Sequence, residues 1–221
     1  MIRRKDKVTV SEMTASEIID KEQPKPLDVL EEVRFFPPED AKSTFTLIRR
    51  KVVERNGAIR EQELWQRSNF VTIVPINNKS EILFRIEDKY GILKPILTLP
   101  TVSIRPDELD RMAIVRALQT EVACIANSIQ PLGNPAGYND MPDKTINGMH
   151  TFFLAKDLTM LPESPDIGAK TIFLEVKEVI RAALWGISVK TDEFGDVYIV
   201  KPTDVACIMM AFYKRDIIRT Y

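Results

Sequence analysis

From Ser43 onward the chain reads as a series of short runs rich in β-branched and aromatic residues, and such runs predict strands. TFTLIRRKVV (44–53) and IREQELWQR (59–67) flank Arg55-Asn56-Gly57, and an Asn-Gly pair in that setting predicts a hairpin. FVTIVPI (70–76) and EILFRI (81–86) are apolar enough to be central strands, with a turn at Asn77-Asn78 between them. LKPILTLP (93–100) is a further short extended piece. The period then changes. From Asp107 to Ile125 there is no proline or glycine, and Leu109, Met112, Ala113, Leu118, Val122 and Ile125 recur at helical spacing. A helix is expected there with those residues as its buried stripe, ending at Asn127.

Pro131 to Gly148 carries three prolines and three glycines and reads as loop. MHTFFLAKDL (149–158) is strand again. TIFLEVKEV (171–179) begins as strand and runs into a helix through Trp185, stopped by Gly186. TDVACIMMAFYKRD (203–216) is a terminal helix, opened by Pro202 and closed by Lys214 and Arg215. Strands, one helix, more strands and a final helix predict an α+β fold: a mixed sheet covered by helices, with no βαβ repeat.

Residues 1–42 differ from this texture. Pro24, Pro26, Pro37 and Pro38 interrupt scattered charges and few apolar residues. Ser11 to Asp20 is a short helix candidate, and the following KEQPKP is not helical, because proline removes a donor and restricts its predecessor. The expected division is an arm over 1–42 and a domain over 43–221.

Composition narrows the chemistry. With 31 Lys+Arg against 32 Asp+Glu, the net charge of -1 excludes nucleic-acid binding by bulk electrostatics. A single histidine, His150, excludes a multi-histidine metal site and is expected to be structural. Cys124 and Cys207 lie too far apart in sequence for a metal knuckle and read as reduced, packed thiols. The longest apolar run, VACIMMAFY (205–213), is far shorter than the ~20 residues of a spanning helix. The opening MIRRKDKVTV lacks the apolar core of a signal peptide. A soluble, cytoplasmic protein with no membrane partner is expected.

The segment around the long helix resembles the signature of the Nudix hydrolases, G-x5-E-x7-R-E-U-x-E-E-x-G-U, with U bulky and apolar. Laid over VSIRPDELDRMAIVRALQTEVACI from Val102, the match keeps Glu108, Arg116 and Glu121. Val102 stands at the first glycine, Ala117 at the glutamate after the arginine, Leu118 at the apolar position. Thr120 stands at the first of the glutamate pair, Ala123 at the closing glycine, and Cys124 at the apolar position after it. The flanks extend the likeness to the branch that hydrolyses ADP-ribose and related nucleoside diphosphate sugars. FVTIVPINNKSEILFRIEDKYGILKPILTLP (70–100) and PLGNPAGYNDMPDKTINGMHTFFLAKDL (131–158) are similar to that branch before and after the signature. The resemblance runs from about Thr44 to Asp216. It implies a Nudix-like mixed β-sheet sandwiched by helices. It also implies a loop–helix–loop that cradles Mg²⁺ or Mn²⁺ on a diphosphate, and a homodimer.

The departures fall where that chemistry lives. The resemblance places metal contacts at positions 117 and 121, and a single carboxylate, Glu121, remains on that face. One carboxylate leaves a hard dication mostly hydrated and weakly held. By the same resemblance Arg116 braces the signature loop, Arg85 sits at a phosphate- or ribose-contacting arginine, and Trp65 is a candidate to stack on a base. Tyr138 and Asp140 belong to the downstream loop, where Met141 replaces an acid. By residue type, Trp65 and Trp185 are equally core or interface residues. Glu108 suits a helix N-terminus, and Asp140 and Asp143 suit turns.

Three functions follow in order. The first is a Nudix-fold protein without catalysis, acting as a binding module for a nucleotide, an RNA end or a protein partner, with no cofactor. The second is a divergent pyrophosphohydrolase using Glu108, Arg116 and Glu121, with Asp140 or Asp143, around Mg²⁺ or Mn²⁺. The third is an assembly protein working through residues 1–42.

Overall fold

In a computed structural model the described residues are 28–35, 46–54, 56–89, 94–139, 145–162 and 170–214. The 42/43 boundary, the helix expected over Ser11–Asp20, and Asp140, Met141 and Asp143 lie outside them. The chain divides into two compact units: Met1–Val33 with Arg49–Gln62, and Arg34–Ile48 with Glu63–Tyr221.

The smaller unit contains most of β1 (Asp28–Phe35), the end of β2 (Thr46–Val53) and the start of β3 (Ile59–Arg67). The hairpin forms where Asn-Gly predicts it. Gly57 takes φ 82° and donates to the Glu54 carbonyl at 2.9 Å, and Asn56 Oδ1 accepts the Ala58 N–H at 2.9 Å. Charged pairs link its strands: Arg50 with Glu32, and Lys51 with Glu31 at 2.8 Å and Glu61 at 3.6 Å. The Arg50–Glu32 pair is half-buried, whereas the Lys51 pairs are exposed and screened by solvent. β1 is an addition to the sequence reading, which treats these residues only as part of the arm.

The larger unit carries two five-stranded sheets. One has the path β7 (Thr101–Ser103), β4 (Phe70–Pro75), β11 (Met149–Met160), β8 (Cys124–Leu132), with β9 (Tyr138–Asn139) also on β11. The other runs β12 (Lys170–Glu175), β5 (Glu81–Lys89), β6 (Lys94–Thr98), β14 (Gly195–Ile199), β13 (Val189–Thr191). β10 (Thr145–Asn147) pairs in parallel with the end of β3, Thr145 beside Trp65.

Strand periodicity decides what each helix covers. On β4, Val71 and Ile73 join the apolar cluster of α1 (Asp110–Val122), while Val74 and the following Ile76 join that of α2 (Val176–Trp185) and α3 (Pro202–Lys214). β5 repeats the division, with Leu83 on the α1 side and Ile82 and Phe84 on the other. The larger unit is therefore a mixed sheet system between helices, the α+β architecture expected. Each fully buried Ile, Leu or Phe in these clusters contributes ~1.5–3 kcal/mol of transfer free energy. On α3, Asp204 is buried and its Oδ2 accepts the Leu99 N–H at 3.2 Å.

Several expectations are corrected. α1 starts at Asp110 and ends at Val122. Its buried face is Ala113, Ile114, Ala117, Leu118 and Val122, whereas Leu109, Met112 and Ile125 are exposed. For Leu109 and Ile125 the cause is the backbone at each end: Asp107 at φ 62° and Ala123 at φ 49° break the helical path, and Ile125 belongs to β8, whereas Met112 is inside the helix but off its buried face. Residues 124–130, read as helix end and connector, pair with β11. Trp65 and Trp185 are not core; they are 47% and 66% exposed. Val102 is not in a turning loop: it is in β7, paired with Val71.

Candidate functional site

The loop from β7 into α1 folds back through charge. Glu108 donates its N–H to the Arg105 carbonyl at 3.1 Å, and its carboxylate accepts the Arg105 N–H at 2.9 Å. Nearly two turns into α1, Arg116 forks onto the same carboxylate: Nε to Oε1 at 2.9 Å and Nη2 to Oε2 at 2.6 Å. The same Nη2 donates to the Ser103 carbonyl at 2.8 Å. A bidentate guanidinium–carboxylate pair of this geometry is among the stronger hydrogen-bonded units in proteins. The Arg116 hydrogen bonds, then the Arg105 amide, hold the Glu108 carboxyl down at about 2. Arg116 is pushed up in turn, chiefly by Glu108, with a further contribution from Glu121. Arg116 therefore braces the loop, and Glu108 is its partner.

On the last turn of α1, the Glu121 carboxylate pairs with the guanidinium of Arg85, from β5. Both side chains are mostly buried, 19% and 22% exposed. One turn earlier, Ala117 is fully buried within the cluster of Val71, Ile73, Leu83 and Val102. Thr120 turns its hydroxyl inward to the Arg116 carbonyl at 2.8 Å, the usual back-bond of a helical threonine. Ala123, at the helix C-terminus, is in the left-handed region and its N–H returns to the Leu118 carbonyl.

A divalent cation on this face would need several converging oxygens at ~2.0–2.6 Å. The described residues of this face do not fit one: position 117 is apolar core, Thr120 is bonded to backbone, and Glu121 is matched by Arg85. Among the described residues no three of His, Cys, Asp and Glu come together as ligands.

The other expected site residues are dispersed. Trp65 is on β3 beside Thr145. Tyr138 stacks on Phe152 at 5.4 Å between ring centroids, and its hydroxyl accepts the Asn134 N–H at 2.8 Å. That turn depends on Gly137: at φ 84°, an added Cβ would lie 2.9 Å from the His150 carbonyl oxygen. His150 is buried and stacked on Phe70 at 4.9 Å, as a structural histidine would be. Burial alone pushes the Cys124 thiol up to about 12. Burial, then the charge of Asp204, pushes Cys207 well above the ordinary thiol range.

Sequence reasoning does not reach a groove of about 620 Å³ between the first turns of α1 and β8. Ile114, Ala126, Ile129 and Phe153 line it together with Asp110, Arg111, Asn127, Ser128 and Gln130. Consecutive residues 126–130 all contribute, so both faces of the strand take part and the groove follows its edge. That edge has no strand partner among the described residues. The signal is absent from the sequence because β8 itself is not legible there.

A solved structure described as "Crystal structure of ADP compounds hydrolase" matches with a TM-score of 0.68 at 18% identity, covering 88% of this chain and 97% of that one. The fold is Nudix-like. No family model matches the chain, and no curated protein matches it. Among the described residues no helix is long and apolar enough to cross a membrane.

Proposed function

We propose that this chain is a Nudix-fold binding module that does not hydrolyse its ligand. The observation that carries this reading is the Arg85–Glu121 pair: the one carboxylate left on the metal face is satisfied by a guanidinium. The buried Ala117 adds to it, since a carboxylate placed there would be charged within apolar core. Nudix hydrolysis needs a metal-held water, and among the described residues this face offers no ligand set to hold one.

The cavity supports a ligand class. A volume near 620 Å³ falls within the range of small-molecule sites, and a lining of apolar, amide and hydroxyl side chains with Asp110 and Arg111 is compatible with a nucleoside-sized group. The structural neighbour is described as acting on ADP compounds, which makes ADP-ribose and ADP the first probes. Solution mass with and without residues 1–42 tests the homodimer that the resemblance implies.

Titration of the full chain with ADP-ribose, alongside an assay for AMP and ribose 5-phosphate formed in Mg²⁺ and in Mn²⁺, tests the reading. Binding without turnover agrees with it. Turnover that disappears in Glu121→Gln contradicts it.

A further inference from the structure

We infer that Arg85 occupies the place a divalent cation would take on Glu121, so that this face of α1 is closed to metal by the chain's own guanidinium. The inference rests on the binding-module reading and says how the old chemistry is shut off.

The first ground is position. Arg85 lies inside the five-stranded sheet, flanked by Thr171 on β12 and Thr98 on β6. Such a strand is held by ladders on both sides, so its side chain is delivered to a fixed place. From there it meets Glu121 on the last turn of α1.

The second ground is charge. Glu108 and Glu121 are matched one to one by Arg116 and Arg85, so the two carboxylates and two guanidiniums balance. Glu121 also contributes to raising Arg116, which places its charge within reach of both arginines. A dication arriving at Glu121 would have to break the Arg85 pair and then sit beside an unmatched guanidinium, a like-charge contact in a mostly buried setting.

The third ground is the packing around the pair. With Ala117 in the core and Thr120 bonded to backbone, Glu121 alone among the described residues of this face would repay an incoming cation for the waters it loses. Arg85 is thus a positioning residue: it holds the Glu121 carboxylate and excludes the ion.

Removing the guanidinium should reopen the place. The experiment is titration with Mn²⁺ followed by the paramagnetic resonance signal of the free ion. The proteins are wild type, Glu121→Gln, Arg85→Met (which keeps the aliphatic stem), Arg85→Ala, and Arg85→Met combined with Glu121→Gln. Thermal melts with and without Mg²⁺ accompany each titration and show which variants are folded.

Wild type and Glu121→Gln should titrate alike. Arg85→Met should take up one additional Mn²⁺ per chain, weakly held because Glu121 alone supplies its carboxylate. The double variant should lose that ion again, and Mg²⁺ should raise the melting temperature of Arg85→Met but not of wild type. Mn²⁺ binding by wild type that Glu121→Gln weakens would overturn the inference. So would a folded Arg85→Met or Arg85→Ala that takes up no additional ion. Turnover of ADP-ribose that persists in Glu121→Gln would end the non-hydrolytic reading while leaving the role of Arg85 standing.

Discussion

The guanidinium of Arg85, on β5, is paired with the carboxylate of Glu121, on the last turn of α1. A mostly buried pair loses most when one partner is removed, because the other charge is left uncompensated. Arg85→Ala and Glu121→Ala are each expected to cost ~2 kcal/mol in urea denaturation. The double variant should cost clearly less than their sum. Additive losses would mean that the two side chains do not interact.

Acid should act through Glu108. Its folded carboxyl is held at about 2 against an ordinary value of 4.5, so it contributes stability above 4.5 that is lost as pH falls from 4.5 toward 2. Glu108→Gln should flatten the fall in melting temperature across that window and leave the profile between pH 6 and 8 parallel to wild type. An unchanged acid limb would remove Glu108 from the account.

Two glycine positions should respond differently to alanine. Gly57 has φ 82° and open space around it, so Gly57→Ala should cost only the left-handed strain of ~1 kcal/mol. Gly137 has φ 84° and the His150 carbonyl oxygen 2.9 Å from an added Cβ, so Gly137→Ala should cost ~2 kcal/mol or more. Equal losses would contradict the close approach of the two backbones.

Ala123 tests the closing position of the Nudix-like helix from the other side. Glycine would relieve ~1 kcal/mol of left-handed strain at φ 49° and lose a buried methyl of ~0.8 kcal/mol. Ala123→Gly is expected within ~0.5 kcal/mol of wild type, whereas Ala117→Gly, inside the helix, should cost ~1–2 kcal/mol.

Neither cysteine should react with an aromatic disulfide reagent at pH 8 in the folded protein. Both thiols are buried and shifted upward, Cys124 to about 12, and the reactive thiolate is therefore scarce and inaccessible. Two fast equivalents should appear on denaturation. Fast labelling under native conditions would show that one of the thiols is exposed.

The strands most legible in sequence are those whose pattern is self-sufficient: β2 and β3 around Asn56-Gly57, and the apolar β4 and β5. α2 and its stop at Gly186 were legible for the same reason, since Gly186 adopts φ 63° as a helix terminator does. β8 was not, because Cys124–Leu132 has only its end residues buried and becomes a strand through pairing with β11. β13 and β14 are short and likewise depend on pairing, β14 with β6. Of the site, Glu108, Arg116, Arg85 and Glu121 were named from sequence, but not the way they pair. A residue from β5 and one from α1, 36 positions apart, meet only once the sheet and helix have packed.

The most direct test of the central claim is formation of AMP and ribose 5-phosphate from ADP-ribose by wild type and Glu121→Gln, in Mg²⁺ and in Mn²⁺. No AMP above a protein-free control is expected for either protein. AMP formation by wild type that requires the metal and is abolished by Glu121→Gln would contradict the non-hydrolytic reading.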